Sequence, residues 1–206
     1  MRLANSAHEA HPWVIAQIAP DFTLLDVWAL PVRGGPDDWD SALELLASFD
    51  PDTVECAASR ALFRLRFRLG AWFGWDDATK KRPIPGCTET TLSARLPDDL
   101  RGSVKSSVNG TAAQRAAGGF TPLYRTRDEW AAEISNATVH GVVHLAWVEQ
   151  GRGRYRGQMG VYVKPRGKLG EIYLMLIQPF RHLIVYPALM HQIGRAWEAR
   201  DVASID

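Results

Sequence analysis

Two β-rich runs joined by four turn-forming residues constrain this chain more than any other feature. Thr138 to Glu149 carries Val139, Val142, Val143, Leu145 and Val148. Tyr155 to Lys164 sets Tyr155, Met159, Val161 and Val163 in alternation with Arg156, Gln158, Tyr162 and Lys164. With Gln150-Gly151-Arg152-Gly153 between them, the runs must fold back as an antiparallel hairpin. Pro165-Arg166-Gly167-Lys168 reads as the next turn and Glu171 to Gln178 as a third strand, which completes a meander. After Pro179 the period changes. Leu183, Tyr186, Met190, Ile193 and Trp197 recur at alternating steps of three and four, which places five large side chains on one helix face. Pro187 removes a backbone bond inside that run and predicts a kink near Leu183.

The first half of the chain supplies a strand over 22–32, broken by Pro31 and Gly34-Gly35-Pro36. Asp37 or Asp38 then caps a helix whose apolar residues are Ala42, Leu45, Leu46 and Phe49. Residues 57–75 read as a helix with Leu62, Leu65, Leu69 and Trp72 on one side and Arg60, Arg64 and Arg68 on the other, although 63–69 also alternates as a strand would. Residues 76–120 are loop-rich, with a strand expected at 88–96 and small residues from Gly102 to Gly119 that suit a short helix near 111–117, a flap or a plain loop. Thr126-Arg127-Asp128-Glu129 has the capping-box pattern and predicts a short helix from Trp130 to Ile134. The sum is an α+β layout in a single domain over 1–206, with a flexible N-terminal arm of about 1–20 and a long helix over about 180–200.

Composition narrows the functional classes. With 46% hydrophobic and 23% charged residues the 206-residue chain has ample material for a core. A formal net charge of +1 gives no general attraction to nucleic acid, and Arg60, Arg64 and Arg68 read as a solvated helix face. The two cysteines, Cys56 and Cys87, form no disulfide framework, so reduced thiols and a cytoplasmic location are expected. The first residues lack a basic start followed by an apolar core, and no apolar run approaches the ~20 residues a span requires. No membrane insertion is therefore expected. His8 and His11 have no third ligand at useful spacing, so no metal site is assigned. Neither a nucleophile elbow around Ser103 nor a glycine-rich dinucleotide fingerprint is present, and no cofactor is required. The eight tryptophans are spread along the chain, either as core filling or as walls of an aromatic pocket.

Three sets of residues carry a resemblance. Tyr124-Arg125-Thr126 with Glu129-Trp130-Ala131, Thr138-Val139-His140-Gly141 with His144-Leu145, and Pro179-Phe180-Arg181-His182 with Tyr186-Pro187 resemble an actinomycete-rich bacterial domain family of unassigned activity. Its members are sometimes fused behind an NAD(P)-dependent epimerase-like domain. The likeness runs from about Asp26 to Trp197. The element order is in turn similar to the START-like helix-grip superfamily of polyketide cyclases and lipid carriers. That similarity implies a curved antiparallel sheet packed on a long C-terminal helix, with an internal cavity between them.

Within such a fold His140, His144 and His182 are the candidate acids or bases, and Arg181 the group that polarises an oxygen of a ligand. Pairing Glu149 with Arg154 would set His144 opposite Met159 and Val142 opposite Val161, so both strand histidines would face the apolar set; a slip of one residue reverses this. Trp28, Trp147, Tyr155, Met159, Val161, Tyr173, Tyr186 and Met190 are the candidate walls. Each has a plainer role open to it: satisfied core histidines, and an Arg181 that caps carbonyls or pairs with Asp26 or Glu171. Three functions follow. The chain binds a small apolar molecule as a cofactor-free cyclase, dehydratase or isomerase of secondary metabolism, carries or senses such a ligand without turnover, or has a cavity filled by its own side chains and acts through a protein partner. Homo-oligomerisation is compatible with all three.

Overall fold

A computed structural model describes residues 1–48, 82–101 and 120–203. The helix expected over 57–75 with its arginine stripe, and the small-residue stretch 102–119, lie outside the described residues. Six antiparallel strands form one sheet in the order β1-β2-β6-β5-β4-β3. They are β1 (Arg2–Leu3), β2 (Thr23–Gly34), β3 (Thr121–Arg125), β4 (Glu129–Ser135), β5 (Val139–Glu149) and β6 (Tyr155–Pro165). The helices are α1 (Asn5–Glu9), α2 (Val14–Ile18), α3 (Trp39–Ser48), α4 (Gly167–Phe180) and α5 (Tyr186–Ala203), and the turn Arg181–Val185 that joins the last two is a π-helix.

The β5–β6 hairpin is the expected one, with a different register. Gly151, Arg152 and Gly153 all take positive φ (90°, 56° and 68°), which only glycine adopts without cost. Gln150 N–H donates to the Arg154 carbonyl at 2.7 Å, and Glu149 pairs with Tyr155 rather than with Arg154. Val142 therefore faces Tyr162 and His144 faces Gly160. That single-residue slip transfers His140 and His144 to the side opposite Met159 and Val161.

Both sides of the sheet are covered, so β5 is buried along almost its whole length. One face packs Val142, Ala146, Tyr124 and Tyr162 against Ile15, Ile18, Phe22, Ile84 and Leu92 from the N-terminal helices and the 82–101 segment. The other packs Trp28, Leu30, Val32, Leu145, Trp147 and Met159 against Trp39 of α3 and Tyr186, Met190, Ile193 and Trp197 of α5. Buried indoles need acceptors, and here Trp147 and Trp197 donate to the carbonyls of Gly35 (2.9 Å) and Arg33 (3.0 Å).

Four expectations are corrected. Residues 129–135 form a strand: Thr126 Oγ1 does accept the Glu129 amide (2.9 Å), as a cap would, but Thr126 N–H also donates to the Glu129 carbonyl, and β4 pairs along its length with β5. Residues 88–96 hold only a 3₁₀ turn, Leu92–Arg95, capped by Thr91. Residues 171–178 belong to α4, whose start is set by Gly167 at φ 62°. The long helix therefore begins at 167 rather than about 180. The N-terminal arm is tied down by the pairs Arg2↔Trp28 and Leu3↔Val27 and by an Asn5 bond to the Leu24 carbonyl (2.7 Å).

Near Leu183, where Pro187 predicts a kink, the helix widens into the π turn. Pro187 cannot donate to the carbonyl four residues before it, and the Tyr186 amide reaches back five residues to Arg181. Tyr186, Met190, Ile193 and Trp197 form the expected buried face, while Leu183 points to solvent. Ile193→Ala should therefore cost roughly 2–5 kcal/mol, and Leu183→Ala close to nothing, in thermal or urea unfolding.

Candidate functional site

The two faces hold two separate polar clusters. On the N-terminal face, His140 and His144 on β5 and Glu129 and Glu133 on β4 recur at the same four-residue interval. The register makes each histidine a diagonal neighbour of one glutamate. His144 Nε2 lies 3.1 Å from Glu129 Oε2, and His140 Nε2 lies 2.9 Å from Glu133 Oε2. Both imidazoles are fully enclosed. Glu129 also accepts from the Tyr124 hydroxyl (2.9 Å) and through both oxygens from the Val14 amide at the start of α2 (3.0 and 3.2 Å). Glu133 accepts from the Leu92 amide (2.9 Å) and from Thr91. The two glutamates thereby fasten the covering segments to the sheet. His140 Nδ1 is buried with no hydrogen-bond partner.

His8 completes this cluster. Its ring lies between Gln158 (2.9 Å) and His144 Nδ1 (3.2 Å). A Cβ at Gly160 would come within 3.0 Å of its Nε2, so the glycine of β6 opposite His144 leaves the space the ring occupies. Burial, and then the neighbouring His144, push the His8 pKa down to about 4. Burial also lowers that of His144, against the pull of Glu129. Burial and the Glu129 carboxylate raise the Tyr124 hydroxyl far above its usual range. The cluster is closed, and at neutral pH both coupled imidazoles are uncharged.

On the α5 face, strand alternation aligns Asp26 with Trp28, opposite Val161 and Met159. Asp26 is fully buried and accepts three donors. Trp28 Nε1 reaches Oδ1 at 3.2 Å, while Arg181 Nη2 (3.2 Å) and His182 Nε2 (3.0 Å) share Oδ2. Consecutive residues on an α-helix diverge by about 100°. Here Arg181 and His182 open the wider π turn and converge on one carboxylate. Arg181 also donates to the Tyr186 hydroxyl oxygen, at 3.1 Å from Nε and again from Nη2. Burial first, and the Asp26 charge against the opposing Arg181, push the Tyr186 hydroxyl up to about 12. Unlike the other cluster, this one reaches solvent: the Arg181 and His182 side chains are 15% and 18% exposed.

The candidate residues thus divide. Arg181, His182, Trp28, Trp147, Met159, Tyr186 and Met190 gather on the α5 face, with Tyr155 and Val161 half-buried beside them. Tyr173 is half-buried on α4. The pairing of Arg181 with Asp26 is the one the sequence offered as an alternative. His140 and His144 lie on the opposite face, away from Tyr155, Met159 and Val161. Asp26, His8, Glu129 and Glu133 carry the geometry of the two clusters, although the sequence offers Asp26 only as one partner of Arg181, His8 only as a rejected metal ligand and Glu129 only as a capping residue, and gives Glu133 no role. An acidic residue at the inward phase of β2, and a glycine interrupting β6 at Gly160, were the signals available for them.

Neutral buried histidines make the fold acid-sensitive. The unfolded chain protonates His8 near 6.5, but the folded protein does so only near 4, so stability is full above 6.5 and falls as pH drops through that window. The loss from His8 alone should be about 3 kcal/mol. Urea unfolding at pH 7.5 and pH 4.5 measures it, and His8→Gln should flatten the difference.

No curated protein and no solved structure matches this sequence. The family described as "Protein of unknown function (DUF2867)" matches residues 18–188, a span that begins in α2 and ends in α5, and takes in Asp26, Arg181, His182 and both His–Glu pairs. The chain belongs to the DUF2867 family.

Proposed function

We propose that this protein binds a small apolar molecule between α5 and the sheet and acts on it as a cofactor-free acid–base enzyme of the cyclase, dehydratase or isomerase kind. The observation that carries this reading is the convergence of Arg181 and His182 on the fully buried Asp26. A buried carboxylate left alone would be costly, and its two partners here still touch solvent.

The chemistry follows from the hydrogen bonds. A neutral His182 that donates through Nε2 to Asp26 keeps a lone pair on Nδ1, which suits it to accept a proton from a carbon beside a carbonyl. Arg181, fixed by Asp26 and Tyr186, supplies charge-assisted donors for the oxygen on which negative charge then develops. Trp28, Met159, Tyr186 and Met190 pack on one another beside Asp26, so they would part to take the rest of the molecule between them. His140 and His144 take no part in this reading; they hold the N-terminal cover in place. A carrier would use the same surface without the proton transfer, and the two are separable.

Native mass spectrometry of freshly purified protein should show a discrete apolar adduct that is lost on denaturation. Met159→Trp, which fills the surface beside Asp26, should abolish the adduct. His182→Ala should keep it and lower turnover of the extracted compound by roughly 10²–10⁴-fold. An adduct that survives with no turnover by the wild-type protein would make this a carrier. A clean apo mass, unshifted by a library of lipids and polyketides, would overturn ligand binding altogether.

A further inference from the structure

Two arginines meet where the 82–101 segment crosses the link between β4 and β5. Arg166, the residue before α4, donates to three neutral oxygens: the Asn136 carbonyl from Nε (2.7 Å), the Ser135 hydroxyl from Nη2 (2.8 Å) and the Pro83 carbonyl from Nη1. The last of these bonds draws the backbone next to Arg82 against it. Burial, and then the charge of Arg82, push the Arg166 guanidinium below its ordinary pKa, so the two cations lie within reach of each other. Arg82 Nε is itself buried with no hydrogen-bond partner. Guanidiniums stay protonated in proteins, so the repulsion is not relieved by loss of a proton.

A partly buried pair of guanidiniums calls for negative charge, and the carboxylates of the surrounding segments are committed elsewhere. Glu133, two residues before Ser135 on β4, is taken up by His140, the Leu92 amide and Thr91. Glu89 and Asp21 both hold Arg95, and Asp21 also holds Lys164. The first turn of α4 has no acidic residue and its N-cap makes no side-chain bond, so the amides there add to the positive potential. A carboxylate would bring one negative charge in one plane. A phosphate monoester brings nearly two, on three acceptor oxygens that point apart. Two guanidiniums arriving from different segments suit the second, and the Ser135 hydroxyl, which accepts from Arg166, still has its proton to donate. We propose that Arg82, Arg166 and Ser135 form a binding site for the phosphate group of a phosphate monoester. The site lies at the opposite end of α4 from Arg181 and His182, so it is independent of the ligand reading above.

Isothermal titration calorimetry of the full chain with glycerol 3-phosphate, at fixed ionic strength, should show one site, and sodium acetate should show none. Arg82→Gln should weaken that binding roughly tenfold to a hundredfold with unchanged circular dichroism. This variant is the decisive one, because the buried Nε of Arg82 makes no bond in the fold whereas Arg166 braces three segments. Arg154→Gln, at an exposed arginine of the β5–β6 turn, should leave the affinity as it is. Binding to phosphatidylcholine vesicles that contain phosphatidic acid, lost in Arg82→Gln and without a response to glycerol 3-phosphate, would place the phosphate on a lipid headgroup. Failure to bind either probe, acetate binding as tightly as the phosphate ester, or an affinity unmoved by Arg82→Gln would overturn the proposal.

Discussion

The pairing of β5 with β6 governs what each face of this sheet can do. It is set by three consecutive residues of positive φ, Gly151, Arg152 and Gly153, which spend one residue more on the turn than a pairing of Glu149 with Arg154 would. Because side chains alternate along a strand, that residue decides the side on which every group of β5 lies relative to β6. His140 and His144 go to the N-terminal face with Tyr162, while Leu145 and Trp147 go to the α5 face with Met159. The two polar clusters and the two apolar cores follow from this one register.

The clusters answer the same electrostatic problem in different ways. On the N-terminal face, buried carboxylates are satisfied by histidines, by a tyrosine and by backbone amides of the segments that cover them, and nothing is left at the surface. Such a network ties together parts of the chain more than a hundred residues apart. On the α5 face, Asp26 is satisfied by Arg181 and His182, whose own outer edges meet solvent. In the proposed function, the buried Asp26 is the anchor and its outward-facing partners meet the ligand. The π turn makes it attainable, because it aims two successive side chains at one carboxylate, and Pro187 gives the helix a reason to widen there.

The sequence carried the large outline where a strong pattern met a strong breaker. The hairpin, the β2 strand, the buried face of the terminal helix and an irregular turn before Pro187 were all readable from alternation, glycine and proline. It misled where one local signal serves two structures. The Thr126 hydroxyl makes the same bond to the Glu129 amide in a hairpin link as in a helix cap, and only pairing with β5 decides between them. Ile172-Tyr173-Leu174-Met175-Leu176-Ile177 is apolar on every side and has no period to read, so its helix is dictated by continuity with α5. Of the α5-face site, Arg181, His182 and the apolar walls were legible. Asp26 was legible only as one partner among several, and the contact of His8 with His144, across 136 residues, was not legible at all.

In the proposed function, ligand chemistry belongs to the α5 face and the N-terminal-face histidines are structural. Histidine-labelled protein titrated with 8-anilinonaphthalene-1-sulfonate, an apolar ring system bearing an anionic oxygen group, tests this most directly by nitrogen NMR. The His182 ring signals should move with saturation while those of His8, His140 and His144 stay in place. Movement of the His140 and His144 signals with His182 unchanged would contradict it.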